Sequence, residues 1–195
     1  MHPQSAAFER ALAFHCAPAL SGAAPANLVS LARSEYPDLP ALLARYGRRL
    51  EPLGIRLFPL CQCDRRWLLL VFRPALLRQA LAPVQVRACL LRCGYPAGGT
   101  LAEQLELLRD RVSHGGGFPH EIGFFLGYPL ADVLGFLALG GECCRMSGYW
   151  KVYGDVAYAR GCFARFDRCR DRLCRGLADG TPLLELLQTQ RAQAA

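Results

Sequence analysis

The segment Ser147 to Asp155, SGYWKVYGD, contains the only lysine of the chain, Lys151, and the other 22 of its 23 basic residues are arginine. Tyr149 and Tyr153 stand two positions to either side of it. On an extended strand that spacing puts all three side chains on one face, and Trp150 and Val152 on the other. A phenol, an ammonium and a second phenol in a row suit an anion, because lysine supplies a compact charge and the hydroxyls supply orienting hydrogen bonds. A desolvated lysine is also competent as a base or a Schiff-base former. The simpler reading of the pattern is a solvated strand face with lysine reaching past two surface tyrosines.

A second set lies in His114 to Pro129, HGGGFPHEIGFFLGYP. With Pro119 as the first residue of a helix, His120 and Glu121 fall in its first turn. The preceding glycines leave backbone N–H groups free near a helix start, where anions bind. His120 or Glu121 would then carry a proton. Glu121 also has a plain structural reason, since an acid complements the helix dipole there. The phosphate-loop pattern, GxGxxG and HExxH are all absent.

The third set is His15 to Leu28, HCAPALSGAAPANL. A cysteine beside a histidine suggests a nucleophile and its base. Adjacent residues point in different directions, however, so Cys16 would need a base from elsewhere, such as His120. Asn27 adds a polar ligand contact or a helix cap. Alternatively His15, Cys16, His120 and Glu121 offer nitrogen, sulfur and oxygen ligands for zinc or iron, or for haem. No cofactor follows from the sequence itself. A third reading is an interaction protein working through the basic helix after Asp155, which carries Arg160, Arg165, Arg168, Arg172 and Arg175 among Asp167 and Asp171. That pattern otherwise reads as a solvated face with an i,i+4 pair, Asp171 and Arg175.

Four phrases together resemble one known family: HCAPALSGAAPANL, LLLVFRP, FPHEIGFFLGYPLADVLGF and SGYWKVYGD. It is an uncharacterised prokaryotic domain-of-unknown-function family, and the resemblance runs from about His15 to Leu187. It implies one intracellular domain and transfers no activity, cofactor or catalytic residue. Cys144, Cys162 and Cys174 belong to none of these phrases.

The elements that must position these residues follow from periodicity and breakers. A short helix is expected over residues 5–14. Asn27 is read as capping a helix to about Arg33, and Asp38 as capping Leu39 to Leu50. GIRLFPLCQCDRRWLLLVFR reads as two strands with a turn near Cys63 to Arg65. The second, Trp67 to Phe72, is continuously apolar and expects burial on both faces, and Pro59 marks the first as an edge. Helices follow from Pro74 and Pro83, then from the capping box Thr100-x-x-Glu103. Further helices run from Pro119 to about Leu126, from Pro129 to Leu139, from Asp155 to about Leu177, and from Thr181. Gly148 to Tyr153 would supply a third strand. The expected fold is α+β, helix-rich, with a small, mainly antiparallel sheet of about three strands. It forms a single domain over residues 1–190, with a frayed tail beyond.

Composition bounds the function. The 195 residues are 52% hydrophobic and 20% charged, which is a globular composition. The net charge of +7 invites polyanions, but the arginines are dispersed along the chain, which argues against nucleic acid. The would-be recognition helix PLADVLGFLAL is apolar nearly all round and offers few donors for base edges. Ile122 to Leu139 is long enough for a membrane span, yet it contains Asp132, Pro129 and glycines, so it reads as two buried helices. No basic segment followed by an apolar core opens the chain, so a cytoplasmic protein with reduced thiols is expected. The ten cysteines do not form paired CxxC knuckles. The leading expectation is an enzyme or ligand-binding domain with one polar pocket for a small anionic molecule, formed where all three motifs meet. The sequence carries no sign of oligomeric state.

Overall fold

The computed structural model describes residues 3–62, 65–114 and 117–194, with side chains from 4–61, 65–114 and 117–192. In chain order, α1 (Pro3–His15) and α2 (Ala17–Leu20) lead into β1 (Ala26–Ala32). Helix α3 (Leu39–Leu50) runs into a 3-10 turn (Glu51–Leu53), then β2 (Arg56–Gln62) and β3 (Arg66–Phe72). Five helices follow: α4 (Pro74–Leu81), α5 (Val84–Arg92), α6 (Leu101–His114), α7 (Ile122–Phe125) and α8 (Leu130–Leu139). A hairpin of β4 (Met146–Ser147) and β5 (Lys151–Val152) precedes α9 (Val156–Ala178) and α10 (Leu183–Ala194). The fold is α+β, as expected, with a three-stranded antiparallel sheet and a separate two-stranded one.

The main sheet has the order β1-β3-β2, so β3 is central. Its side chains alternate between two helical layers. Trp67, Leu69 and Val71 join one core with α1, α2, α3, α9 and α10. Leu70 and Phe72 join a second core with α4 to α8. This is why the strand is apolar without interruption. Strand β2 is an edge, as Pro59 requires, and its pairing slips between Pro59 and Cys61. The turn expected at Cys63 and Asp64 lies outside the described residues.

Two expectations about strands are corrected. Asn27 to Arg33 is not a helix: Ala26–Ala32 pairs residue for residue with β3, from Ala26 opposite Phe72 to Ala32 opposite Arg66. A central strand has a second edge of N–H and C=O groups to satisfy, and that requirement outweighs a weak local capping signal. The third strand of the main sheet is therefore β1, while Lys151 and Val152 pair only with Met146 and Ser147. The second motif's helix is also shorter than expected. Helix α7 begins at Ile122, so Pro119 is not its first residue, and His120 and Glu121 lie in the turn before it. It ends at once because Gly127 takes a left-handed φ of 77°. A Cβ on Gly127 would come within 2.4 Å of the Pro25 ring, so both the turn and the approach to β1 need glycine.

The expected helix starts mostly hold. Thr100 and Glu103 form a reciprocal capping box. Asp155 accepts from the Tyr158 N–H at the start of α9. Asp38 precedes α3 but makes no side-chain cap. Helix α10 continues to Ala194, past the point where fraying was expected. Among the described residues, no helix is long and apolar enough to cross a membrane.

Glu9 of α1 closes the first core. Its carboxylate is 3% exposed, accepts the Tyr46 hydroxyl of α3 at 2.7 Å and accepts the Leu183 N–H at the start of α10 at 3.0 Å. The acid thus caps a helix 174 positions away. Burial, followed by the bond to Glu9, pushes the Tyr46 phenol up to about 12. Replacing Glu9 with Ala leaves two buried donors without an acceptor. Urea denaturation should show a loss of about 2–4 kcal/mol. A loss under about 1 kcal/mol would show that these bonds do not hold α10 in place.

Candidate functional site

Asp132 lies in the first turn of α8 and is 3% exposed. A carboxylate this deep needs acceptor duty on both oxygens. It has that duty in full: Oδ2 accepts the Trp150 indole N–H at 2.7 Å, and Oδ1 accepts the backbone N–H groups of Tyr153 at 2.8 Å and Gly154 at 2.7 Å. The positive end of the α8 dipole favours the charge as well. One side chain of FPHEIGFFLGYPLADVLGF therefore holds SGYWKVYGD in place.

Aromatic packing completes the join. Trp150 stacks on Tyr128 with ring centres 4.9 Å apart, and Phe163 of α9 meets its face edge-on at 4.5 Å. The Tyr128 hydroxyl donates to the Tyr149 carbonyl at 3.3 Å. Trp150 and Val152 belong to a small core with Ala159, Cys162 and Phe166, and Tyr149 packs against the same core.

Between α7, α8 and the hairpin lies a cavity of about 340 Å³. Its walls are mostly apolar, from Phe118, Ile122, Leu126, Val133, Phe136 and Trp150. Polar groups come from His120, Asp132, Ser147 and Lys151. Lys151 is half-buried and forms no ion pair among the described residues. His120 is exposed, with its ring edge-on to Phe136 at 4.8 Å. Two of the three motifs thus meet at one cavity, and it is more apolar than the polar pocket expected.

The row of Tyr149, Lys151 and Tyr153 does not form. Only two residue pairs make the β4–β5 ladder, and Gly148 to Trp150 form its turn, with the Gly148 N–H donating to the Trp150 carbonyl. Strand alternation therefore does not extend to Tyr149. Its ring packs on Phe163 and Phe166 of α9, and its hydroxyl donates to Asp167 at 2.9 Å. Tyr153 leans the other way, onto α8. A Cβ on Gly135 would come within 2.4 Å of its ring, so the close approach depends on glycine there. Of the three residues, Lys151 and Tyr149 line the cavity.

Glu121 is 3% exposed and its carboxylate is committed elsewhere. It accepts Arg111 of α6 at 2.6 Å and the Tyr95 hydroxyl at 3.3 Å. Burial, then the Glu121 charge, pushes the Tyr95 phenol up. The third motif stands apart. His15 is exposed in a different cleft, with Phe14, Cys174 and Leu177. Cys16 is fully buried in the first core, and burial pushes its thiol up, away from the reactive thiolate. Asn27 accepts the Ala19 N–H at 2.8 Å, which ties β1 to α2. Among the described residues, no group of three or more His, Cys, Asp or Glu side chains is placed to hold a metal. The set His15, Cys16, His120 and Glu121 is dispersed, because Cys16 packs into the core and Glu121 turns to Arg111.

Sequence reasoning missed Asp132 and Tyr128 as organisers. The signal for Asp132 was present as a lone acid in an apolar run, since a carboxylate entering a core must find donors, and Trp150 carries one. Asp132→Ala strands three buried donors and should cost about 3 kcal/mol or more. Chemical denaturation followed by tryptophan fluorescence should show it, with a red-shifted native spectrum from Trp150.

Alkaline pH provides a second check. Burial pushes the Tyr128 phenol up to about 12, and burial followed by the bond to Asp167 does the same for Tyr149. Phenols held protonated in the fold support it below their ordinary value near 10 and withdraw that support as pH rises through the folded value. The melting temperature should fall between about pH 10 and 12, together with late tyrosinate absorbance. Full ionisation of the tyrosines near pH 10 in a still-folded protein would contradict this packing.

A family model described as "Protein of unknown function (DUF3793)" matches residues 12–187, and the chain belongs to that family. No curated protein and no solved structure matches it.

Proposed function

For this member of the DUF3793 family, we propose that the cavity between α7, α8 and the β4–β5 hairpin binds a small anionic molecule with an apolar body. The observation that carries the reading is the placement of Lys151. It brings an ammonium without an ion-pair partner among the described residues to the edge of an apolar cavity that also holds an imidazole. Apolar walls bury a hydrophobic body, and the few polar groups fix its orientation and charge. A carboxylate or phosphate on such a ligand meets Lys151, and its body lies against Trp150, Phe136 and Val133. Asp132 lines the same cavity, but its oxygens are already filled by Trp150, Tyr153 and Gly154, so it holds the wall and leaves the anion to Lys151. His120 is the cavity group equipped to carry a proton to or from the ligand, since Glu121 is held by Arg111. The reading is of a ligand-binding domain, with proton transfer falling to His120 if the bound molecule reacts.

The test is a thermal-shift screen of small carboxylates and phosphate esters, graded by the size of their apolar part. A ligand at 100 times its Kd adds about 2.7 kcal/mol, which raises the melting temperature by roughly 5–10 °C in a chain of this length. Lys151→Met should remove the shift, and Lys151→Arg should restore only part of it, because a planar guanidinium does not reproduce a point charge in a confined site. Equal shifts from neutral analogues, or a full shift in Lys151→Met, would overturn the reading.

A further inference from the structure

On the other side of the sheet, the loop after α2, the 3-10 turn Glu51–Leu53 and the end of α10 enclose a cleft of about 440 Å³. We propose that this cleft is a second binding site, and that it takes an oxyanion of the phosphate class. It shares no lining residue with the Lys151 cavity.

Arg73, which follows β3, donates Nε to the Ala19 carbonyl at 2.7 Å, one Nη to Leu20 and the other to the Leu53 carbonyl at 3.0 Å. A guanidinium has five N–H groups, so two remain. Arg191 of α10 lines the same cleft and places one N–H on the Pro52 carbonyl. Ser21 and Gln190 also line it, and the Ser21 hydroxyl and the Gln190 amide nitrogen are buried without a hydrogen-bond partner. The two guanidinium groups can only donate, and the Ser21 hydroxyl and the Gln190 amide NH2 can each donate to an oxyanion and have no partner of their own among the described residues. The one acid on the lining, Glu51, is ion-paired with Arg56.

The three carbonyl bonds explain why Arg73 holds α2 against the 3-10 turn. They do not explain a second guanidinium beside it, or two polar side chains left unsatisfied. Burial, and then the nearby charge of Arg191, hold the Arg73 guanidinium below its ordinary value while it stays charged. A tetrahedral oxyanion supplies both missing quantities. It brings negative charge between two arginines, and several acceptor oxygens for the free N–H and O–H groups.

The experiment titrates inorganic phosphate and, separately, glycerol 3-phosphate into the full chain at constant ionic strength, with chloride as the balancing salt. Calorimetry and melting temperature are read together. Either probe should bind saturably. Binding of both probes points to a free oxyanion, and binding of glycerol 3-phosphate alone points to an esterified group. Arg191→Gln alters an exposed side chain and should weaken binding about tenfold. Ser21→Ala should weaken it several-fold, and Lys151→Met should leave it unchanged. The proposal fails if neither probe binds saturably in the millimolar range. It also fails if Arg191→Gln binds as the unaltered chain does, or if Lys151→Met is the variant that loses binding, which would put the phosphate in the other cavity.

Discussion

A buried carboxylate that must be satisfied governs this structure. Asp132 enters the protein on an otherwise apolar helix, and left alone there it would cost several kcal/mol. Its three donors are Trp150, Tyr153 and Gly154, all from a segment about twenty residues downstream. Satisfying Asp132 therefore sets the position of the β4–β5 hairpin. That in turn sets where Lys151 lies, how Trp150 stacks on Tyr128, and how the hairpin meets α9. The cavity is what remains between α8 and the hairpin once these requirements are met. A two-pair hairpin has little stability of its own, so its geometry is borrowed from α8 and α9.

The main sheet shows which parts of a fold can be read from a sequence. Strand β3 was legible because burial on both faces leaves a continuous apolar run, and Pro59 identified an edge by the hydrogen bond it cannot donate. Strand β1 was not legible. Its local residues permit a capped helix, and only the unpaired edge of β3, forty positions away, makes it a strand. The helix starts at Thr100 and Asp155 were legible because a cap is a short-range bond between residues three apart.

The candidate site divides along the same line. That Lys151 and His120 would meet was inferred from their residue types and from the turns beside them, and they do line one cavity. The tyrosine row failed because alternation holds along a ladder, and Tyr149 lies in the turn. Glu121 and Cys16 were read as reactive from their types alone. Their partners, Arg111 and Tyr95 for the acid and an apolar core for the thiol, come from other elements and leave no trace in the local sequence. Asn27 was noticed as polar and became a tie to α2. Glu121, Asn27 and Asp132 are all committed to the fold by their hydrogen bonds. A polar side chain therefore has to be judged by whether its bonding capacity is already used.

The bond between Glu9 and Leu183 also bears on how the chain comes together in time. Phe8 and Leu12 of α1 share their core with Cys169, Leu173, Leu183 and Leu187, so α1 is covered by two helices that follow it by about 150 positions or more. A growing polypeptide can pair β1, β2 and β3 and assemble the layer of α4 to α8 early. The apolar side of α1 stays uncovered until α10 has emerged. Until α10 is made the sheet is thus a half-finished sandwich with one greasy flank, and loss of Leu183 to Ala194 would leave that flank open for good.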